Sequence, residues 1–444
     1  MLTAALAALA SLEAVEAIMT SAADAAAFPQ FEAAMQTCGG AQWKSYSLTN
    51  ATGYNLTMFR LIGNELQQPY VETKGPVLLI GGIYSDGGDW IKCTNPIYKS
   101  MAVQLAEAGH DVWISQDRGQ PGSNTHTALS LLDPIQKAEY WNYTFHEIGT
   151  EDIPAMVDKI IAERPGNCAK VTLIPHSSGV NAAMVAALKV PGLADKVGHV
   201  NAMGPCINVN IDEWFLEMRD TESIKMVYEL LASLNVTTLF GPGYYEEIEP
   251  ICQTPGIGPA LCAGIFKNPD KIKPYMRQQS AKAYRHIQQN SVYTGGSFGE
   301  YKDNEMDGIP MVPYDVDSIT IPFSVLTGSN DVECPADDNE PYFSTIAAGN
   351  ITRVVGVENI DFWFDNSLTL VDTIEGYLPQ TPHVLPELLC PAPVVECEKS
   401  DKECEQLALG ELCSDLEDGD DRKRCQTVKN YANKMQCRDE TGFA

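Results

Sequence analysis

The sequence predicts an α/β fold: a mostly parallel sheet flanked by helices, with an inserted helical cap and a cysteine-rich helical C-terminal extension. Three observations lead there. Short apolar runs alternate with helix-period segments across short connections, the pattern of parallel sheets. One run, Val171–Ile174, meets Pro175-His176-Ser177-Ser178-Gly179 and an Ala-rich helical pattern at once, which reads as strand, sharp turn and helix. The regularity breaks between about 206 and 315 and returns at Ile321-Pro-Phe-Ser-Val-Leu-Thr327, as an insertion within one sheet would make it.

The elements follow in order. Residues 1–27 form an Ala/Leu-rich, signal-like N-terminal segment interrupted by Glu13 and Glu16. Tyr46 to Leu61 reads as two strands around a polar turn. Val77 to Gly82 is a continuous apolar strand of the kind found in buried sheets. Pro96 to Ala108 has helical spacing and stops at Gly109; Asp111 to Ser115 is the next strand. Glu151 to Arg164 is a helix, Val171 to Ile174 a strand and Val180 to Leu188 a helix. Arg353 to Val357 then continues the sheet, and a helix covers Leu368 to Tyr377. The core is thus built from two stretches of chain, 28–205 and 316–380. The cap (206–315) lies between them, and a Pro-rich linker with a helical tail (381–444) follows.

Composition narrows the function. The 444 residues are 44% hydrophobic and 20% charged, with a net charge of -29. That is a globular composition, and its charge opposes nucleic-acid phosphates. No apolar run reaches the roughly 18 residues that span a bilayer, so no transmembrane helix is expected. Thirteen cysteines are present, six of them from Cys390 onward. None has C-x2-C spacing, so a disulfide-stapled tail is expected rather than zinc. Nested pairs Cys413–Cys425 and Cys404–Cys437 fit a helical hairpin, one of about 15 connectivities, and Cys252 and Cys262 bracket a cap loop. Sequons at Asn50, Asn55, Asn142, Asn235 and Asn350 agree with glycosylation in the secretory pathway, in an extracellular or lysosome/vacuole-like compartment. No cluster has metal-ligand spacing and no strand leads into G-x-G-x-x-G, so neither metal nor cofactor is implied.

Ser177 sits where a nucleophile elbow would place an attacking hydroxyl. Pro175 stands where that motif usually has glycine, and Ser-Ser-Gly after a strand is also an ordinary turn. An oxyanion hole needs two backbone N–H donors. Ser178 offers one, and Ile83, after Gly81-Gly82, the other. Gly328-Ser329-Asn330-Asp331 follows a later strand, making Asp331 the candidate acid, in the chain order Ser then Asp.

Several segments together resemble the gastric and lysosomal acid lipases: Val77 to Ile83 with Asp89-Trp90-Ile91, Asp111 to Ile114 with Arg118-Gly119, Tyr140 to Gly149 with Asp152 to Ala155, Pro175 to Gly179, and Gly328 to Asp331. The resemblance runs from about Gly40 to Tyr377. It implies an α/β-hydrolase core with a helical cap and hydrolysis of neutral lipid esters such as acylglycerols or steryl esters. It also exposes departures. In Glu358-Asn359-Ile360-Asp361-Phe362, Asn359 stands at the family's histidine position. Gly81-Gly82 replaces the family's His-Gly, and Pro175 replaces its glycine.

Asparagine takes no proton near neutral pH and serves as neither general base nor general acid. Two readings follow. One is a serine ester hydrolase with a displaced base, for which His286 in the cap and His383 after the last helix are the candidates. The other is a lipase-like fold without catalysis: a binder of lipid or ester small molecules, or a structural subunit docking a protein partner through its tail. Asn359 is expected to hydrogen-bond Asp331, and His176 to point its ring away from the Ser177 hydroxyl.

Overall fold

The computed structural model describes residues 20–37, 40–92, 98–209, 236–239, 277–290, 298–302, 312–347, 350–359, 361–364, 368–386 and 389–390. The expected tail helices and disulfides, the Cys252–Cys262 loop, Asn235 and the segment before Thr20 lie outside the described residues.

Eleven strands are seen among these residues: β1 (Gln42–Thr49), β2 (Tyr54–Gly63), β3 (Gly75–Ile80), β4 (His110–Gln116), β5 (Thr125–His126), β6 (Val171–Pro175), β7 (Val197–Met203), β8 (Thr238–Leu239), β9 (Gln279–Ser280), β10 (Phe323–Gly328) and β11 (Ile351–Val354). Nine form one sheet in the order β1-β2-β4-β3-β6-β7-β10-β11, with β5 beside β2. β1 and β2 pair antiparallel, as β2 does with β4; from β4 to β11 every pair is parallel.

Successive side chains of a strand face opposite ways, and the two apolar layers obey that rule. Leu78, Trp113, Leu173 and Val325 enter one layer. Val77, Leu79, Val112, Ile114, Ile174 and Leu326 enter the other. Both faces are covered, so these strands read as continuous apolar runs. The helix α1 (Met101–Glu107) returns the chain from β3 to β4, α2 (Ile153–Ala162) precedes β6, and α3 (Ser178–Lys189) joins β6 to β7.

Strand β7 is not apparent in the sequence, because His199 and Asn201 interrupt its apolar run. Both are buried and bonded to distant parts of the chain: His199 Nε2 lies 2.8 Å from Ser324 Oγ, and Asn201 Nδ2 donates to the Ile374 carbonyl.

From Thr20 onward the N-terminal segment packs on β1. The Trp43 amide donates to Thr20 Oγ1 (2.8 Å), Ser45 bonds the Asp24 carboxylate, and Phe31 stacks on Phe59. Within the expected cap, β8 pairs antiparallel with β9 and leads into α4 (Ala281–Gln288). This portion is fastened to the core: Arg277 N donates to Tyr84 O, the Arg277 guanidinium pairs with Asp86, and Gln120 Nε2 donates to Gln278 O.

The helix α5 (Leu368–Tyr377) matches its expected span. The chain then crosses beneath the start of β6. Lys170 N donates to His383 O, Leu385 N donates to Cys168 O, and Cys390 is disulfide-bonded to Cys168. Cys390 was expected in the tail's own framework; instead it staples the linker to the core. A second disulfide, Cys206–Cys334, joins the loop after β7 to the loop after β10.

Candidate functional site

The elbow is present in full. Ser177 has φ 54° and ψ -124° between the end of β6 and the start of α3. A non-glycine residue held at positive φ costs on the order of 1–3 kcal/mol, so its surroundings must impose it. They do: His176 N donates to Ile80 O, Ser177 N to Met203 O and Gly179 N to His176 O. Helix and strand nearly touch, since a Cβ on Gly179 would lie 2.3 Å from Gly81 O.

The glycine pair after β3 has a local cause. A Cβ on Gly81 would meet Ser85 Oγ at 2.1 Å and Asp117 Oδ2 at 2.9 Å. Those groups fill the space a histidine side chain would need. A Cβ on Gly82 would lie 2.9 Å from Ser177 Cβ. Asp117 was not singled out in the sequence, and burial pushes its carboxyl up to about 7.

Asp331 and Asn359 come together. Asn359 Nδ2 donates to Asp331 Oδ2 at 2.9 Å and to Gly204 O at 3.1 Å. Asp331 Oδ1 accepts from Cys334 N at 2.7 Å. Both residues are buried. Burial pushes the Asp331 carboxyl up to about 6, against the opposing Asn359 hydrogen bond. The Cys206–Cys334 disulfide braces this loop; no spacing rule in the sequence points to that pair.

Among the described residues, no group hydrogen-bonds the Ser177 hydroxyl, and the residue as a whole is 8% exposed. All seven histidines of the chain are described, and each is placed elsewhere. The His176 ring donates from Nε2 to the Asn359 carbonyl at 2.8 Å, and burial lowers its pKa to about 3. His286 stacks on Phe145, and its Nε2 donates to Gly299 O. His383 lies against Gly198 at the start of β7, the end of the sheet opposite the elbow. Neither displaced-base candidate therefore meets Ser177. His126 accepts from Ala128 N and Leu129 N, His146 bonds Tyr314, His199 bonds Ser324, and His110 faces Glu375 at 3.9 Å.

Of the two expected oxyanion donors, Ile83 N already donates, to Ser178 Oγ at 2.6 Å. Among the sequons, Asn50 is buried: its Nδ2 donates to Asp152, and its Oδ1 accepts from Gly53 N and Tyr54 N. Its amide is committed to the fold and is not offered to solvent. Asn142 and Asn350 are exposed and Asn55 is half-buried. Among the described residues no cluster is arranged to hold a metal, and no helix is long and apolar enough to cross a membrane.

No family model matches the chain. It is 30% identical over 166 residues to a putative lysosomal acid lipase/cholesteryl ester hydrolase of Crotalus adamanteus, covering 37% of this chain and 40% of that relative. It is 26% identical over 310 residues to lipase member N of Mus musculus, covering 65% of this chain and 74% of the relative. A solved α/β hydrolase, GrgF from Penicillium sp. sh18, aligns at 15% identity with a TM-score of 0.46, over 76% of this chain and 99% of that one. In sequence the chain is similar to acid lipases over part of its length, and its sheet and elbow are those of an α/β-hydrolase fold.

Proposed function

We propose that this chain keeps the lipase scaffold and attacking hydroxyl but has lost ordinary lipase catalysis at the proton-transfer step, and that it binds neutral lipid esters of the acylglycerol or steryl ester class. One observation carries the reading: the Asn359 amide donates to Asp331 at 2.9 Å, the bond a triad imidazole would make with its Nδ1–H. The amide reproduces that donor and ends there. It has no second nitrogen to take the Ser177 proton or return it to a leaving group. The ester class is supported by the name of the Crotalus adamanteus relative.

The test is chemical. A fluorophosphonate probe is expected to leave Ser177 unlabelled, and extraction of the purified protein is expected to yield co-purified neutral lipid by mass spectrometry. Labelling of wild type that disappears in Ser177→Ala would contradict the reading.

The two disulfides and the exposed sequons support a secretory route. Four buried histidines bear on how the fold responds to acid. Burial lowers the pKa of His176 and His286 to about 3 and of His110 and His199 to about 4. Groups depressed in the folded state bind protons more readily when unfolded, so their stability is lost as pH falls below the unfolded value. At pH 5 each costs about 2 kcal/mol, taking an unfolded pKa near 6.5. Five carboxyls that burial raises act the other way: Asp117 to about 7, Asp331 to about 6, and Glu72, Asp89 and Asp152 as well.

The tail beyond the Cys168–Cys390 disulfide is proposed as a separate docking module. Deleting the residues after Cys390 is expected to leave the core folded while abolishing any protein complex.

A further inference from the structure

An oxyanion hole works because its N–H donors stand ready, without a partner, where negative charge will develop. The Ile83 N–H is not in that state: Ser178 Oγ accepts it at 2.6 Å. Ser178 is the residue whose own amide is the other expected donor. It opens α3 and is 7% exposed, and the residues on either side of it, Ser177 and Gly179, are held by the elbow bonds described above. The Ser177 hydroxyl is close by, since a Cβ on Gly82, the residue before Ile83, would lie 3.4 Å from Ser177 Oγ.

We propose that the Ser178 hydroxyl fills the oxyanion donor at Ile83, acting as a positioning residue that satisfies this amide in place of a ligand oxygen. A tetrahedral oxygen at Ser177 must displace a short, built-in hydrogen bond before it gains the donor. The site therefore disfavours tetrahedral adducts independently of the missing imidazole. The inference rests on the reading of Ile83 N–H as an oxyanion donor, and not on the loss of the base.

Butylboronic acid tests it without any imidazole. Its trigonal boron accepts an electron pair from Ser177 Oγ, the serine proton leaves to buffer, and a tetrahedral boronate anion forms with one oxygen directed at the hole. Boron-11 NMR distinguishes the trigonal from the tetrahedral state and gives the dissociation constant. Because removing one oxyanion donor costs roughly 10²–10³ in other hydrolases, freeing one here should tighten adduct formation at least about tenfold in Ser178→Ala. Ser178→Gly provides the same release should the alanine variant fold poorly. Ser178→Thr, which keeps a hydroxyl, should stay near wild type. The gain should vanish in Ser178→Ala/Ser177→Ala.

Equal or weaker binding in Ser178→Ala overturns the proposal; it would mean that the hydroxyl is neutral or itself serves as a donor. Absence of tetrahedral boron in every variant overturns it too, since nothing would have been freed. No ester turnover enters the measurement, so its failure is distinguishable from a failure of the proposed function.

Discussion

Replacing Asn359 with histidine is expected to give this chain ester hydrolysis that wild type lacks. The acid is already in place. Asp331 Oδ2 accepts from Asn359 Nδ2 at 2.9 Å, and an imidazole Nδ1–H can take over that bond. Its Nε2 then lies farther along the same side chain, where a triad needs it. Gly204 borders this side chain and has no Cβ; one there would lie 3.0 Å from Asn359 Nδ2. The strained elbow at Ser177 needs no rebuilding.

Removing a triad histidine elsewhere costs on the order of 10⁶ in kcat. Recovery here should be partial, because the Ile83 amide is engaged by Ser178 and an oxyanion donor is worth roughly 10²–10³. An increase in kcat/KM of at least ~10² for a short-chain p-nitrophenyl ester is expected, with a rate that rises as the imidazole loses its proton. Ser177→Ala in the same background should abolish it. A folded Asn359→His protein with no increase would mean that the imidazole is not what is missing.

The largest expected loss of stability is at Arg118. Its Nε and Nη2 donate to the two Asp152 oxygens at 2.9 and 2.6 Å, and Nη2 also reaches Glu151 at 2.8 Å. The guanidinium lies 3.7 Å over the Tyr54 ring, and Asn50 Nδ2 adds a further donor to Asp152. The Arg118 and Asp152 side chains are only 1% and 2% exposed. Burial already pushes the Asp152 carboxyl up, and the neighbouring Arg118 opposes it.

Arg118→Met should therefore cost about 3–5 kcal/mol, the usual result of stranding one buried charge. That is a large part of the roughly 5–15 kcal/mol a domain has. Asp152 in the variant should have a folded pKa still further above its unfolded value. The damage should accordingly be least at low pH and grow as pH rises through the unfolded value toward the folded one. Adding Asp152→Asn should recover part of the loss. Denaturant unfolding of the two variants checks this, and a loss below ~1 kcal/mol would contradict a buried pair.

Local patterns in the sequence carried much of this architecture. β3, β4, β6 and β10 are apolar runs buried on both faces, and runs of that kind announce themselves. β7 did not, because the partners of its buried His199 and Asn201, Ser324 and Ile374, lie more than a hundred residues away in the chain. Ser177, Asp331 and Asn359 were legible from strand–turn–helix context and from family resemblance. Their mutual geometry depends on tertiary neighbours. Nothing in Pro-His-Ser-Ser-Gly says that the Ser178 side chain will cover Ile83, or that the His176 ring will be tied to the Asn359 carbonyl. Asn50 shows the same limit: its sequon is a three-residue pattern, whereas its burial is set by Asp152, far along the chain.

The most direct test of the missing proton shuttle is the steady-state hydrolysis of a short-chain p-nitrophenyl ester by wild type and by Ser177→Ala, side by side. The account predicts equal rates, because a hydroxyl without a base contributes nothing that water does not. A wild-type rate more than ~10² above that of Ser177→Ala would show that the serine is activated after all, and would contradict it.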